Sequence, residues 1–183
     1  MPATLFFVVY LQNKSNIMVI RKLFRFEGAH IVRNCTSERC RENIHGHSYI
    51  VEVFLTADRL DNGGMVMDFA RLAPIKRLID RFDHAFLLWK GEKPEFKKFV
   101  YTFNRRVVET PISPTSEGLA LMFLKSADSL LSAMAPTNGE NGVKVSSVRV
   151  HETATGYAEA FREDLPMATF RPSDLLFTDR QEQ

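Results

Sequence analysis

The sequence predicts an α+β domain in which an antiparallel four-stranded sheet carries two helices on one face. Three observations lead there. Residues 19–30 and 45–55 alternate apolar with polar side chains, the period-two mark of a half-buried strand. Residues 69–82 and 115–134 instead repeat their apolar positions at helical spacing. Short strands at 65–67 and 143–150, one following a Gly-Gly turn, complete a sheet built from neighbouring segments.

Taken in order, the first strand reads VIRKLFRFEGAH. Ile20, Phe24, Phe26, Gly28 and His30 share one parity, and Arg21, Arg25 and Glu27 the other, so His30 ends the strand on its apolar face. Residues 31–44 read as a polar loop. His45 opens the second strand and shares its face with His47, Tyr49, Val51, Val53 and Leu55. Asp61-Asn62-Gly63-Gly64 is a turn signal, and Met65 to Met67 a short returning strand. Asp68 is suited to cap a helix striped by Phe69, Leu72, Ile75, Leu78, Ile79 and Phe82. Pro74 lacks an amide hydrogen, so that helix starts near it or kinks there. Residues 89–113 contain two prolines, several aromatics and six basic residues, and read as a long loop with one short helix.

Thr115 caps the second helix, with Glu117 in its first turn facing the positive end of the helix dipole. Leu119, Met122, Phe123, Ser126, Ala127, Leu130, Leu131 and Met134 form its buried stripe. Pro136 to Gly142 end it, and Val143 to Val150 form the last strand. Residues 157–183 are a mixed tail. The domain is expected over 18–157, preceded by an extension at 1–17 (Met18 is an alternative start) and followed by a tail at 158–183. The free sheet face also carries aromatic and aliphatic residues and is expected to pack against another subunit.

The chain of 183 residues, 45% hydrophobic and 25% charged, is large enough to bury a core without disulfides or a structural metal. Its net charge of +2 is too small to argue nucleic-acid binding, so an anionic ligand would need a local cluster. Two cysteines five residues apart suit a reduced, cytoplasmic protein better than a disulfide framework. No run is long enough to span a membrane. Leu5 to Leu11 has no basic segment before it and is not expected to be a signal peptide.

Chemistry concentrates in residues 29–49, which hold three of the five histidines and both cysteines. His45-Gly46-His47 aims two imidazoles to one side of a strand, and His30 ends another strand. Three nitrogen ligands with an open fourth position are the mark of a catalytic zinc site. The competing arrangement is a closed structural zinc site of Cys35, Cys40, His45 and His47, although HxH is poor spacing for one. Asp83-His84 at a helix end and Glu152 after a strand are further candidates. Glu152 continues the buried parity of Val148 and Val150, so its carboxylate needs a partner such as a ligand donating two N–H groups.

With FEGAH, Cys40 shortly before HGHSY, GGMVMDF, FDH at 82–84, PTSEGLA at 114–120 and VRVHET at 148–153, the chain resembles the 6-pyruvoyl-tetrahydropterin synthase / 6-carboxy-tetrahydropterin synthase family. The resemblance covers roughly residues 19–157 and implies a role for each motif. His30, His45 and His47 match zinc ligands. Cys40 matches the base that moves protons on the substrate side chain. Asp83 and His84 match the second proton-handling pair, in which the carboxylate orients the imidazole. Glu152 matches the anchor of the pterin ring, and the segment from Thr115 to Glu117 matches the pocket lining.

The resemblance further implies the tunnelling fold, whose subunits form barrels as trimers or hexamers. The active sites lie between subunits, so that Asp83 and His84 would serve a neighbour's Cys40. The implied substrate is 7,8-dihydroneopterin triphosphate. In the carboxy-pterin branch, on the route to queuosine, the side chain is cleaved to acetaldehyde and triphosphate leaves. Other branches make pyruvoyl-tetrahydropterin or cleave the same substrate for folate synthesis, in some cases with a glutamate in place of the cysteine. Glu42 lies close to that position, which leaves the branch open. Arg33, Arg39 and Arg41 of the same loop are candidates to meet the triphosphate.

Overall fold

Alternation in the two longest strands sets the architecture. The structure is a computed structural model describing residues 18–179; the extension expected at 1–17 lies outside the described residues, as do 180–183. In chain order the elements are β1 (Val19–His30), α1 (Glu38–Glu42), β2 (His45–Thr56), α2 (Ala73–Asp80), β3 (Ala85–Trp89), α3 (Pro94–Phe103), β4 (Arg106–Thr110), α4 (Ser116–Ser132), β5 (Lys144–Thr153), β6 (Gly156–Phe161) and β7 (Leu176–Asp179). β1 and β2 pair antiparallel over their full length, from Val19 opposite Thr56 to His30 opposite His45.

Among the described residues the sheet has seven strands in the order β6-β5-β2-β1-β3-β4-β7, which corrects the expectation of four antiparallel strands. It is mixed: β3 runs parallel to both β1 and β4, and the other pairings are antiparallel. Met65 to Met67 form no strand. The Asp61 carboxylate instead accepts the amides of Gly63 and Met65 at 2.9 Å each, which closes the segment into a turn. The expected loop at 89–113 contains the end of β3, all of α3 and β4. The tail supplies both edge strands: β6 returns on β5 in a hairpin, and β7 pairs with β4.

α2 and α4 cover one face as expected. Their Ile75, Ile79, Leu119, Met122, Phe123 and Ala127 pack on Phe24, Phe26, Val51, Val53, Val148 and Val150. Asp68 caps a short 3-10 turn ahead of α2, accepting the Ala70 amide, and Pro74 sits in the first turn of α2 proper. Unexpectedly, α3 covers the opposite face at one end, where Phe86, Leu88, Val100 and Val107 form a second, smaller core with Phe96 and Tyr101. β3 is therefore buried on both sides, with Leu87 in one core and Phe86 and Leu88 in the other. A strand buried on both faces reads as a continuous apolar run without alternation.

α4 begins where chain segments crowd. The Thr115 hydroxyl accepts the Gly118 amide at 3.1 Å, and a β-carbon at Gly118 would overlap the Ser113 carbonyl oxygen. Gly118→Ala should destabilise the protein by ~2 kcal/mol or more through forced backbone displacement, read by urea unfolding; a change within ~0.5 kcal/mol would contradict the crowding.

The α4–β5 connection is held by Glu140, whose carboxylate accepts the amides of Asn138 at 2.7 Å and Thr137 at 2.8 Å and also binds the Arg71 guanidinium. The Asn138 amide is the main reason that the Glu140 carboxyl is held down to about 2, against an ordinary 4.5. A depressed carboxyl contributes stability that is full above its unfolded pKa and lost as pH falls through the folded one. Between pH 4.5 and 2 the wild-type protein should therefore lose more thermal stability than Glu140→Gln. Parallel acid limbs in a Tm titration would refute this.

Candidate metal centre and substrate-binding site

The β1–β2 register brings three imidazoles together. His30 pairs directly with His45, and Gly28 with His47, while the pleat turns all three rings to the α4 side. Gly46, between two of them, leaves room where a β-carbon would stand 3.0 Å from the Gly28 carbonyl oxygen. One nitrogen from each of His30, His45 and His47 lies within 4.8 Å of the others, a group able to hold a metal ion.

Their hydrogen bonds prepare the nitrogens for that task. His30 is fully buried, and its Nδ1 donates to the Pro114 carbonyl at 2.7 Å. His45 Nδ1 donates to the Asn43 carbonyl at 3.0 Å. Each bond fixes the tautomer that leaves Nε2 with its lone pair, and these two Nε2 atoms stand 3.0 Å apart. His47 Nε2 is buried with no hydrogen-bond partner. Burial is the main reason that the His30 and His47 imidazoles are held below their ordinary range, with Glu152 acting against it. Neutral imidazole is the ligating form. Two lone pairs facing one another beside a nitrogen with no hydrogen bond form a donor set that a cation would satisfy. Neither Cys35 nor Cys40 joins this group and both are free thiols, which argues against the four-ligand cysteine-histidine arrangement.

Glu152 borders the cluster. Its Oε1 lies 3.3 Å from His30 Nε2 and 3.5 Å from His47 Nε2, and its Oε2 accepts the Ser116 hydroxyl at 3.0 Å. Tyr49 lies beneath, stacked on Phe26 at 4.6 Å with its hydroxyl 3.3 Å from His30 Nδ1. Burial, and then Glu152, push the Tyr49 phenol well above its ordinary range, so it remains a hydrogen-bond donor. Nothing in the sequence marks the Ser116 hydroxyl or the Pro114 carbonyl as touching these side chains. Tyr49 was legible in principle, being two residues beyond His47 on the same face.

The other candidates are distributed around this centre. Cys40 lies half-buried in α1, and its carbonyl accepts the Val32 amide at 2.9 Å. Thr115 caps α4, and exposed Glu117 borders a cleft of about 450 Å³ with Ile112, Leu121, Glu159 and Met167. Asp83 and His84 occupy the turn before β3. Asp83 Oδ1 accepts the Glu27 amide at 2.8 Å, and Oδ2 accepts His84 Nδ1–H at 2.9 Å. The Glu27 amide, and secondarily His84, hold the Asp83 carboxyl below its ordinary range. His84 takes the left-handed conformation (φ 56°), fixed by its own amide donating to the Glu27 carbonyl at 2.7 Å. Its side chain, 73% exposed, looks into a second cleft of about 430 Å³ shared with His47, Ser48, Phe86 and Asn104. Of the loop arginines, Arg33 is bonded to Glu92 and Arg41 to Glu42, while Arg39 is exposed. No helix among the described residues is long and apolar enough to cross a membrane.

Comparison with known proteins agrees with this geometry. The family model for 6-pyruvoyl tetrahydropterin synthase matches residues 19–163. A 6-carboxy-5,6,7,8-tetrahydropterin synthase of Helicobacter pylori (strain J99) is 46% identical over 84% of this chain and 78% of its own length. One from Aquifex aeolicus is 34% identical over 76% of this chain and 95% of its own. Among solved structures, an uncharacterised protein of Wolinella succinogenes superposes with a TM-score of 0.63 at 27% identity, over 81% of this chain and 99% of its own. A 6-pyruvoyltetrahydropterin synthase of Plasmodium vivax shares the fold with a TM-score of 0.55 at 21% identity, over 79% of this chain and 98% of its own. With its ordered motifs, its three-histidine centre and a family match over most of its length, this chain belongs to the 6-pyruvoyl tetrahydropterin synthase family.

Proposed function

We propose that the protein is a zinc-dependent 6-carboxy-5,6,7,8-tetrahydropterin synthase. It converts 7,8-dihydroneopterin triphosphate and one water to 6-carboxy-5,6,7,8-tetrahydropterin, releasing acetaldehyde and triphosphate. The observation that carries this reading is the group of three histidine nitrogens bordered by the Glu152 carboxylate. The names of the relatives from Helicobacter and Aquifex favour this branch over the pyruvoyl and folate-route branches.

His30, His45 and His47 would hold the ion. Bound there, zinc supplies Lewis acidity toward the side-chain oxygens of the substrate. Glu152, kept in place by the Ser116 hydroxyl, accepts N–H groups of the pterin ring, and Thr115 and Glu117 line the pocket. Cys40, as thiolate, takes a proton from the substrate side chain. His84, oriented by Asp83, handles the second proton. The exposure of His84 suits service to the Cys40 of a second copy, and we assign the active assembly to a trimer or hexamer with intersubunit sites. The reaction belongs to the queuosine route, in the cytoplasm.

Incubation of the zinc-loaded protein with 7,8-dihydroneopterin triphosphate should yield 6-carboxy-tetrahydropterin, acetaldehyde and triphosphate, identified by mass. Pyruvoyl-tetrahydropterin or hydroxymethyl-dihydropterin would assign another branch, and no release of triphosphate would refute the family activity for this chain. Cys40→Ala should keep its metal, by atomic absorption, and lose turnover by ~100-fold or more. Loss of both metal and fold would instead make the cysteine structural.

A further inference from the structure

The loop between β1 and β2 carries Cys40, and its anchoring follows an unexpected route. After Ile31, which is buried, the chain reverses at Asn34 in the left-handed conformation (φ 62°) and returns through α1. Two bonds close the loop on itself: the Val32 amide donates to the Cys40 carbonyl at 2.9 Å, and Arg33 Nη1 donates to the Arg41 carbonyl at 2.8 Å. A third leaves the loop. Arg33 Nε donates to Glu92 Oε1 at 2.6 Å. The Glu92 side chain is 2% exposed, in the turn between β3 and α3, and Phe96 of α3 lies 5.1 Å from the guanidinium carbon. One guanidinium thus joins the carbonyl of Arg41, the residue after Cys40, to a buried carboxylate 59 residues from Arg33 in sequence.

We propose that Arg33 and Glu92 are positioning residues for Cys40, clamping its loop to the turn ahead of α3. The proposal rests on the reading of Cys40 as the proton-transfer group. It also makes Arg33 a poorer candidate for the triphosphate than exposed Arg39, because its Nε and Nη1 are engaged by a carboxylate and a carbonyl. The role of the 89–113 segment becomes intelligible: β3, α3 and β4 form a buried platform that holds Glu92 and Phe96 beneath the reactive loop. The metal ligands are seated on β1 and β2, and their link to this loop is the bond from His45 Nδ1 to the Asn43 carbonyl at its end.

The test compares Glu92→Gln, Arg33→Gln and the double variant in a Cys35→Ser background, so that Cys40 is the one thiol. Metal stoichiometry, kcat, KM and the rate of iodoacetamide alkylation are measured on zinc-loaded protein. Metal content and KM should stay near the parent's. kcat should fall by up to ~100-fold, as for a displaced catalytic group. Cys40 should alkylate several-fold faster as its loop loosens, and the double variant should be no worse than Arg33→Gln, which already breaks the Glu92 contact along with the bond to Arg41. Arg33→Lys, which keeps the charge, should recover part of kcat. An unchanged alkylation rate in Glu92→Gln would overturn the proposal. So would a raised KM in Arg33→Gln with a normal kcat in Glu92→Gln, which would return Arg33 to the substrate. Additive losses, or kcat losses that only follow metal content, would also overturn it. If the parent shows no turnover at all, the activity reading fails, while the alkylation comparison still decides the clamp.

Discussion

The pairing of β1 with β2 is the constraint on which the rest depends. Their ladder places His30 across from His45 and leaves His47 two residue pairs further along on the same face. A slip of one residue would turn every one of these side chains to the opposite face. The register is protected by burial: Phe24, Phe26, Tyr49, Val51, Val53 and Leu55 all leave water only when the ladder is in this frame. Core packing and metal-site geometry are thus one requirement, met by the same alternation.

The remaining groups reach this ladder from three directions. The start of α4 brings the Pro114 carbonyl to His30 and the Ser116 hydroxyl to Glu152. β5, pairing with the far side of β2, brings Glu152. The turn before β3 docks on Glu27 by two hydrogen bonds and carries Asp83 and His84. Each candidate group except Cys40 stands on or immediately beside a regular element of the sheet or on α4.

The legible parts of the sequence were those with one wet and one dry face. β1, β2, β5, α2 and α4 each show a period because one side is apolar and faces the main core, while the other carries mostly polar or charged residues. β3 was illegible for the opposite reason, since its AFLLW run feeds two cores and has no polar side to alternate with. β7 is four residues long, too short for any period to declare itself. At the site, parity found the histidines and the burial of Glu152. It could not find that Ser116 holds Glu152 or that Arg33 holds Glu92, because those contacts join residues 36 and 59 apart and depend on how the elements pack.

The seating of the histidines on long paired strands, with Cys40 on a short loop between them, separates two inheritable units. The strands cannot change without losing the core, whereas the loop at 31–44 meets the frame mainly through Ile31, the Arg33–Glu92 contact and its two ends. Such a division would let one scaffold present a different side chain beside the same three histidines by recutting a single hairpin connection. Glu42, exposed two residues beyond Cys40, shows how little sequence change that exchange would need.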